Sequence, residues 1–204
     1  MKNNLTLAAA PAQLPVDLNT FKIHARVRID DETEDEYLNG LIAAATESID
    51  GANGWLGRAL ITQQWKLTLP AFPGTGKIML PLPPLQGVDS VKYIDAAGAE
   101  QTFAAENYEV VTAAEQGYLR LLSGKAWPQA KSCEPVSVLF KCGYGGDPAA
   151  VPFRIRQYIM VQAADMYNNR EANLVGTNIA PVPGVDTMLN DFRWRDESDA
   201  CGTA

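Results

Sequence analysis

Gly57-Arg58-Ala59-Leu60-Ile61-Thr62-Gln63-Gln64-Trp65 is where the hydrophobic period of this chain changes. Upstream of it, Leu38, Leu41, Ile42, Ala45 and Ile49 recur at helical spacing and make one apolar face, and glycines at 51 and 54 end that helix. From Leu60 onward the apolar runs are short, and six strands are predicted over 61–69, 77–80, 88–95, 108–111, 118–121 and 136–142. Turn signals separate them at Pro73-Gly74, Pro83-Pro84, Ala97-Gly98, Gln116-Gly117 and Trp127-Pro128. After Gly143-Tyr144-Gly145-Gly146-Asp147-Pro148 the helical period returns. Ile155, Ile159, Ala163 and Met166 share a face between Val151 and about Asn169, with Pro152 in the first turn. The order predicts an α+β fold in which a helical frame carries a β-rich antiparallel insert. The frame has two N-terminal helices, one long later helix and a short C-terminal helix.

Outward from that stretch, the divisions are an N-terminal extension over 1–16, the frame over 17–56 and 147–170, the insert over 57–146, and a loop with a C-terminal segment over 171–204. A first helix over 17–27 takes Asp17 as its cap. Thr33 and Glu36 have the spacing of a capping box for the second, and the acidic run 30–36 suits the positive end of that helix dipole. The run also has the composition of a metal site, although helix-start carboxylates account for it more simply. The extension 1–12 is apolar and has the look of a leader, but Pro11 interrupts it before a full apolar region forms. No run approaches the ~20 apolar residues of a membrane helix, so no membrane association is expected.

The chemistry offered by the side chains is sparse. The formal net charge of −7 over 204 residues argues against broad phosphate binding by Lys and Arg. Cys133, Cys142 and Cys201 make an odd set without a CxxC pair, which gives neither a disulfide framework nor a zinc site, so reduced thiols and a buried strand position for Cys142 are expected. His24 is the sole histidine and has no nucleophile elbow to serve, which removes Ser-His-Asp and multi-histidine metal chemistry. Pro73-Gly74-Thr75-Gly76-Lys77 fails as a phosphate loop, because Ala71 stands where the first glycine is needed and Ile78 follows the lysine. A hairpin is expected there, and a strand-to-helix connection at Gly143–Gly146. A carboxylate-dependent hydrolase needs only two of the 24 acidic residues, and no motif singles out a pair. No catalytic residue, cofactor or metal ligand is assigned, and no enzyme activity is expected.

A wider pattern runs through Ala10-Pro11-Ala12-Gln13-Leu14-Pro15-Val16-Asp17-Leu18, Lys22-Ile23-His24-Ala25-Arg26-Val27, Ile29-Asp30-Asp31, Gly57–Trp65 and Leu80-Pro81-Leu82-Pro83-Pro84-Leu85-Gln86-Gly87-Val88-Asp89-Ser90-Val91. It continues through Trp127-Pro128, Phe140-Lys141-Cys142-Gly143-Tyr144-Gly145, Val151–Gln157, Tyr167-Asn168-Asn169-Arg170-Glu171 and Met188-Leu189-Asn190-Asp191-Phe192-Arg193. In order and spacing over residues 10–194 it resembles the bacteriophage head–tail connector family, the head-completion adaptors. Asn19-Thr20-Phe21 and the chain beyond Trp194 depart from the pattern.

The resemblance implies a non-enzymatic virion protein at the head–tail interface, present in the host cytoplasm during assembly. It further implies a ring, typically twelvefold, built by the helices under the portal protein. Such a ring would extend the channel for double-stranded DNA without specific binding, and would dock stopper or other neck and tail proteins. A stopper or tail-completion protein is the neighbouring alternative. The C-terminal segment, here Met188, Leu189, Phe192, Arg193, Trp194 and Arg195, is implied to reach the portal. Trp and Arg suit an interface anchor, and the expectation is that the piece orders only on contact; the alternative is that it folds back on its own core.

Overall fold

The computed structural model describes residues 4–130, 136–169 and 188–194. They fall into two compact units: a β-unit from residues of 1–12 and 61–146, and a helical unit from residues of 13–60 and 147–204. Among the described residues, eight strands run as β1 Leu5–Ala9, β2 Gln63–Leu69, β3 Lys77–Met79, β4 Leu85–Ile94, β5 Glu100–Thr102, β6 Tyr108–Val111, β7 Tyr118–Leu121 and β8 Val136–Cys142. Three α-helices of eight or more residues among them are α1 Leu18–Ala25, α2 Asp35–Glu47 and α3 Phe153–Asn168. The α+β class with an antiparallel β-rich insert in a helical frame is therefore observed.

The β-unit has a five-stranded antiparallel sheet, ordered β1-β2-β8-β4-β5, and a three-stranded one, ordered β3-β7-β6. Alternation decides which face is core. Trp65 and Leu67 on β2 lie opposite Phe140 and Val138 on β8, and Val138 in turn lies opposite Val91 on β4. All five are buried. The intervening positions face outward and hold cross-strand polar pairs. Lys141 meets Asp89 at 3.0 Å, and Gln64 donates to the same carboxylate at 2.6 Å. In the smaller sheet Ile78 pairs with the fully buried Leu119, while Arg120 and Glu109 form an ion pair at 2.7 Å. Phe72 stacks on Trp127 at 4.9 Å between centroids, and Phe103 lies 5.4 Å from Trp127 and 5.8 Å from Tyr108. Burial in that cluster raises the Tyr108 phenol above its ordinary range.

Two strands lie outside the six predicted ones. β1 sits in the stretch read as an extension, where it pairs antiparallel with β2 at the edge of the sheet. β5 is short and exposed at the opposite edge. The two glycine-rich motifs act as connections, and the first is not the expected hairpin, because β2 before it and β3 after it belong to different sheets and do not pair. Gly74 to Gly76 lead into β3, with the Gly76 carbonyl accepting from Leu121 N at 2.9 Å. Gly143 has φ +123, and a Cβ there would lie 2.6 Å from the Ile61 carbonyl oxygen, so only glycine fits this passage.

In the helical unit Asp17 caps α1, its carboxylate accepting from Thr20 N at 2.9 Å and Thr20 Oγ1 at 2.6 Å. Arg26 ends the helix in a left-handed conformation, φ 59. The expected capping box at α2 does not form. Glu34 takes the cap position without a side-chain hydrogen bond to the helix backbone, and Thr33 instead gives its N–H and hydroxyl to Asp31 at 3.1 and 2.6 Å. The reason is local competition, because an aspartate two residues back offers Thr33 a tighter turn than the helix does. Phe21, Leu38, Ile42, Ile155 and Ile159 are fully buried, each stabilising the unit by about 1.5–3 kcal/mol through area removed from water.

Candidate docking segment at one end of the helical unit

α2 and α3 run antiparallel, which gives the helical unit two chemically distinct ends. At the first, the Tyr167 hydroxyl near the C-terminus of α3 donates to Glu34 Oε2 at 2.6 Å, and its ring lies 6.3 Å from that of Tyr37. This end carries the loop between α1 and α2, organised from inside by Lys22. That side chain is 1% exposed; its ammonium donates to the carbonyls of Ile29 (3.3 Å) and Asp31 (2.7 Å) and ion-pairs with Asp35. Burying an ammonium is costly unless acceptors of this kind surround it. Arg28 pairs with Asp30 at 2.6 Å and holds that carboxyl below its usual range, as the Thr33 hydroxyl does for Asp31. The acidic run is therefore absorbed into ion pairs, turns and a helix start. Among the described residues no group of His, Cys, Asp and Glu has a metal-holding arrangement.

At the second end Leu56, Gly57 and Arg58 meet the C-terminal segment. After α2, the chain folds through a loop in which Trp55 N donates to the Ser48 carbonyl (3.0 Å), Gly51 N to the Arg58 carbonyl (2.7 Å), and Leu60 N to Asp50 Oδ1 (2.8 Å). The loop presents Leu56 O, Gly57 and Arg58 to residues 188–194. Trp194 N donates to the Leu56 carbonyl at 2.9 Å, and Arg58 Nε donates to the Phe192 carbonyl in a short hydrogen bond. Gly57 has φ +63, and a Cβ there would lie 2.9 Å from Trp194 O, so the backbones approach only because this residue lacks a side chain.

From the start of α3, Arg154 donates to the Met188 carbonyl (2.7 Å), pairs with Asp191 (2.9 Å) and lies 5.4 Å from the Phe192 ring centroid. The Arg193 guanidinium covers Trp55 at 4.4 Å. Leu189 is fully buried, whereas Asn190 and Asp191 are exposed and Met188, Phe192, Arg193 and Trp194 are half-buried.

Residues 188–194 are thus folded back on their own unit, the alternative to ordering on contact. Burial of Leu189, one backbone–backbone hydrogen bond and two hydrogen bonds donated by arginine side chains to its carbonyls give the piece its own attachment. Arg195 and the loop predicted over 171–184 lie outside the described residues, as do Cys133 and Cys201. Cys142 is buried in β8. His24 is a half-buried residue in the last turn of α1. Arg58, Arg154 and Gly57 escaped assignment from sequence, because their roles depend on contacts distant along the chain, spanning more than 130 positions for Arg58 and Gly57. The order Gly57-Arg58 after a helix was the only local signal.

No protein-family model and no curated protein matches the chain. Solved structures do. One is a chain in the neck of an empty gene transfer agent particle computed with sixfold symmetry, at TM-score 0.77 and 25% identity, covering 94% of this chain and 96% of that one. A chain in the virion of the native gene transfer agent particle matches at TM-score 0.76, and one in the neck of the native particle, computed with twelvefold symmetry, at 0.66, each with the same identity and coverage.

Proposed function

We propose that this chain is a non-enzymatic structural protein of the neck of a phage-like particle, an adaptor that forms a ring between the portal and the proteins below it. The observation that carries the reading is the likeness to particle and neck chains over 94% of the sequence at TM-scores up to 0.77. A likeness that extends through both units supports a shared architectural role more than a shared local site. The twelvefold and sixfold symmetries of the similar necks support a ring of twelve, since a twelvefold ring also satisfies sixfold symmetry.

In this reading residues 188–194 contact the portal as a preformed ridge. Leu189 and the Trp194 backbone anchor it, while Asp191, Phe192 and the neighbouring Arg193 and Arg195 supply the contact. A ridge already ordered loses less entropy on docking than a free tail does. The helical unit has nine basic and seventeen acidic residues, against eight and seven in the β-unit, and a surface of that sign lets DNA pass without adhering. Assembly then takes place in the host cytoplasm and the product is found in the virion.

The test is to delete the chain from a producing strain and image the particles. The adaptor reading predicts DNA-filled or leaking heads with a bare portal and unattached tails. Heads retaining a further neck layer on the portal would assign this chain to the stopper or tail-completion level instead, and normally tailed particles would overturn the reading.

A further inference from the structure

The helical unit carries two exposed amphipathic patches of opposite character at its two ends. At the α1–α2 loop, Ile29 is 53% exposed beside Arg28, which pairs with Asp30; Asp31 accepts from Thr33 and the exposed Glu32 follows, so three carboxylates stand against one guanidinium and the loop keeps an acidic excess. At the start of α3, Phe153 is 64% exposed, and the Arg156 guanidinium lies 5.6 Å from its ring centroid. Arg154 next to it is committed to Asp191, whereas Arg156 donates only to the Val151 carbonyl, at 3.1 Å, and has no carboxylate partner among the described residues. The Tyr167–Glu34 bond puts the Ile29 patch near the C-terminal end of α3, and α3 spans 16 residues, so the patches are separated by about 24 Å of helix.

From this polarity we infer that the two patches meet between copies: the Phe153–Arg156 patch of one subunit docks head-to-tail against the Ile29–Glu32 patch of the next. A cation stacked on an exposed ring matches an aliphatic side chain flanked by carboxylates in both sign and hydrophobicity. Two different surfaces in contact make a heterologous interface, which repeats around a ring until it closes and does not stop at a dimer. The inference rests on the ring proposed above and assigns residues to its subunit contact.

The experiment uses the full chain with Cys133→Ser and Cys201→Ser as background, carrying Ile29→Cys and Phe153→Cys together, assembled into particles, with each single variant in the same background in parallel. Both sites are exposed, so folding is preserved, and a disulfide within one chain is barred because it needs Cα atoms within about 7 Å. Mild oxidation of isolated necks should convert at least half of the doubly substituted chain into a ladder of dimers, trimers and higher multiples, with neither single variant going beyond its background. Dimers from a single variant would show a like-to-like contact and overturn the inference. So would a cross-link from position 153 to a protein of different mass. Ring density in the same necks without a ladder would overturn the contact and leave the ring intact, whereas loss of ring density in unsubstituted particles would remove the ring itself.

Discussion

Gly57 and Lys22 do work that their neighbours in sequence do not announce. Gly57 is the point where the loop after α2 touches the backbone of Trp194, in a conformation that L side chains avoid. Gly57→Ala is expected to destabilise the chain by about 1–2 kcal/mol through strain at positive φ and displacement of the C-terminal segment. Thermal unfolding measures the first effect, and faster hydrogen exchange at Trp194 N the second. Lys22 is buried among carbonyls and Asp35, so Lys22→Ala leaves acceptors unpaired and is expected to cost about 3 kcal/mol, well above an ordinary helix-surface substitution. Sequence reading put Lys22 simply beside His24 on a helix, because its partners lie 7 to 13 positions away in a loop.

Asp17 was legible, since an aspartate before an apolar-periodic run is a cap by local chemistry alone. The Thr20 hydroxyl, and secondarily its N–H, hold the Asp17 carboxyl below its usual range. A depressed folded value means that the contribution is present above the unfolded value and is lost as pH falls through the folded one, a window below about pH 4. Asp17→Asn should flatten the stability profile there while keeping the cap, and Asp17→Ala should cost about 1 kcal/mol at neutral pH. Urea titrations from pH 2.5 to 7 distinguish the two.

Among the elements, those with a strong one-sided pattern were readable and those at edges were not. β2 and β8 alternate buried and outward residues along their length, and α3 repeats its apolar face over four turns. β1 escaped because Leu5-Thr6-Leu7-Ala8-Ala9 is an edge strand almost wholly exposed, so an uncharged leader-like stretch carries no burial alternation. β5 escaped because Glu100-Gln101-Thr102 has no buried face at all. The C-terminal segment was readable as a short amphipathic piece, but its attachment was not, since Leu189 is buried by residues that only the fold brings near. Leu189→Ala is expected to release the segment, with a cost of about 2–4 kcal/mol if the helical unit responds as a whole. Limited proteolysis followed by mass spectrometry should show new cleavage around 188–194. An unchanged digestion pattern would mean that the segment is held by its backbone bonds alone.

For the whole molecule, the sequence carried the class of fold and a resemblance in motif order, while catalytic motifs were lacking from the start. The likeness to neck chains covers both units, and the whole acidic excess belongs to the residues of the helical unit. Neither fact could be read from a single motif; one needs a fold to compare and the other a division of the chain into units. The central claim is the place of this protein in a particle, and cryo-EM of the producing particles, averaged about the neck axis, tests it most directly. The account predicts a ring of twelve copies immediately below the portal, with the ridge at Asp191 and Phe192 against portal density. A neck fully accounted for by other chains, with no density fitting this one, would contradict it.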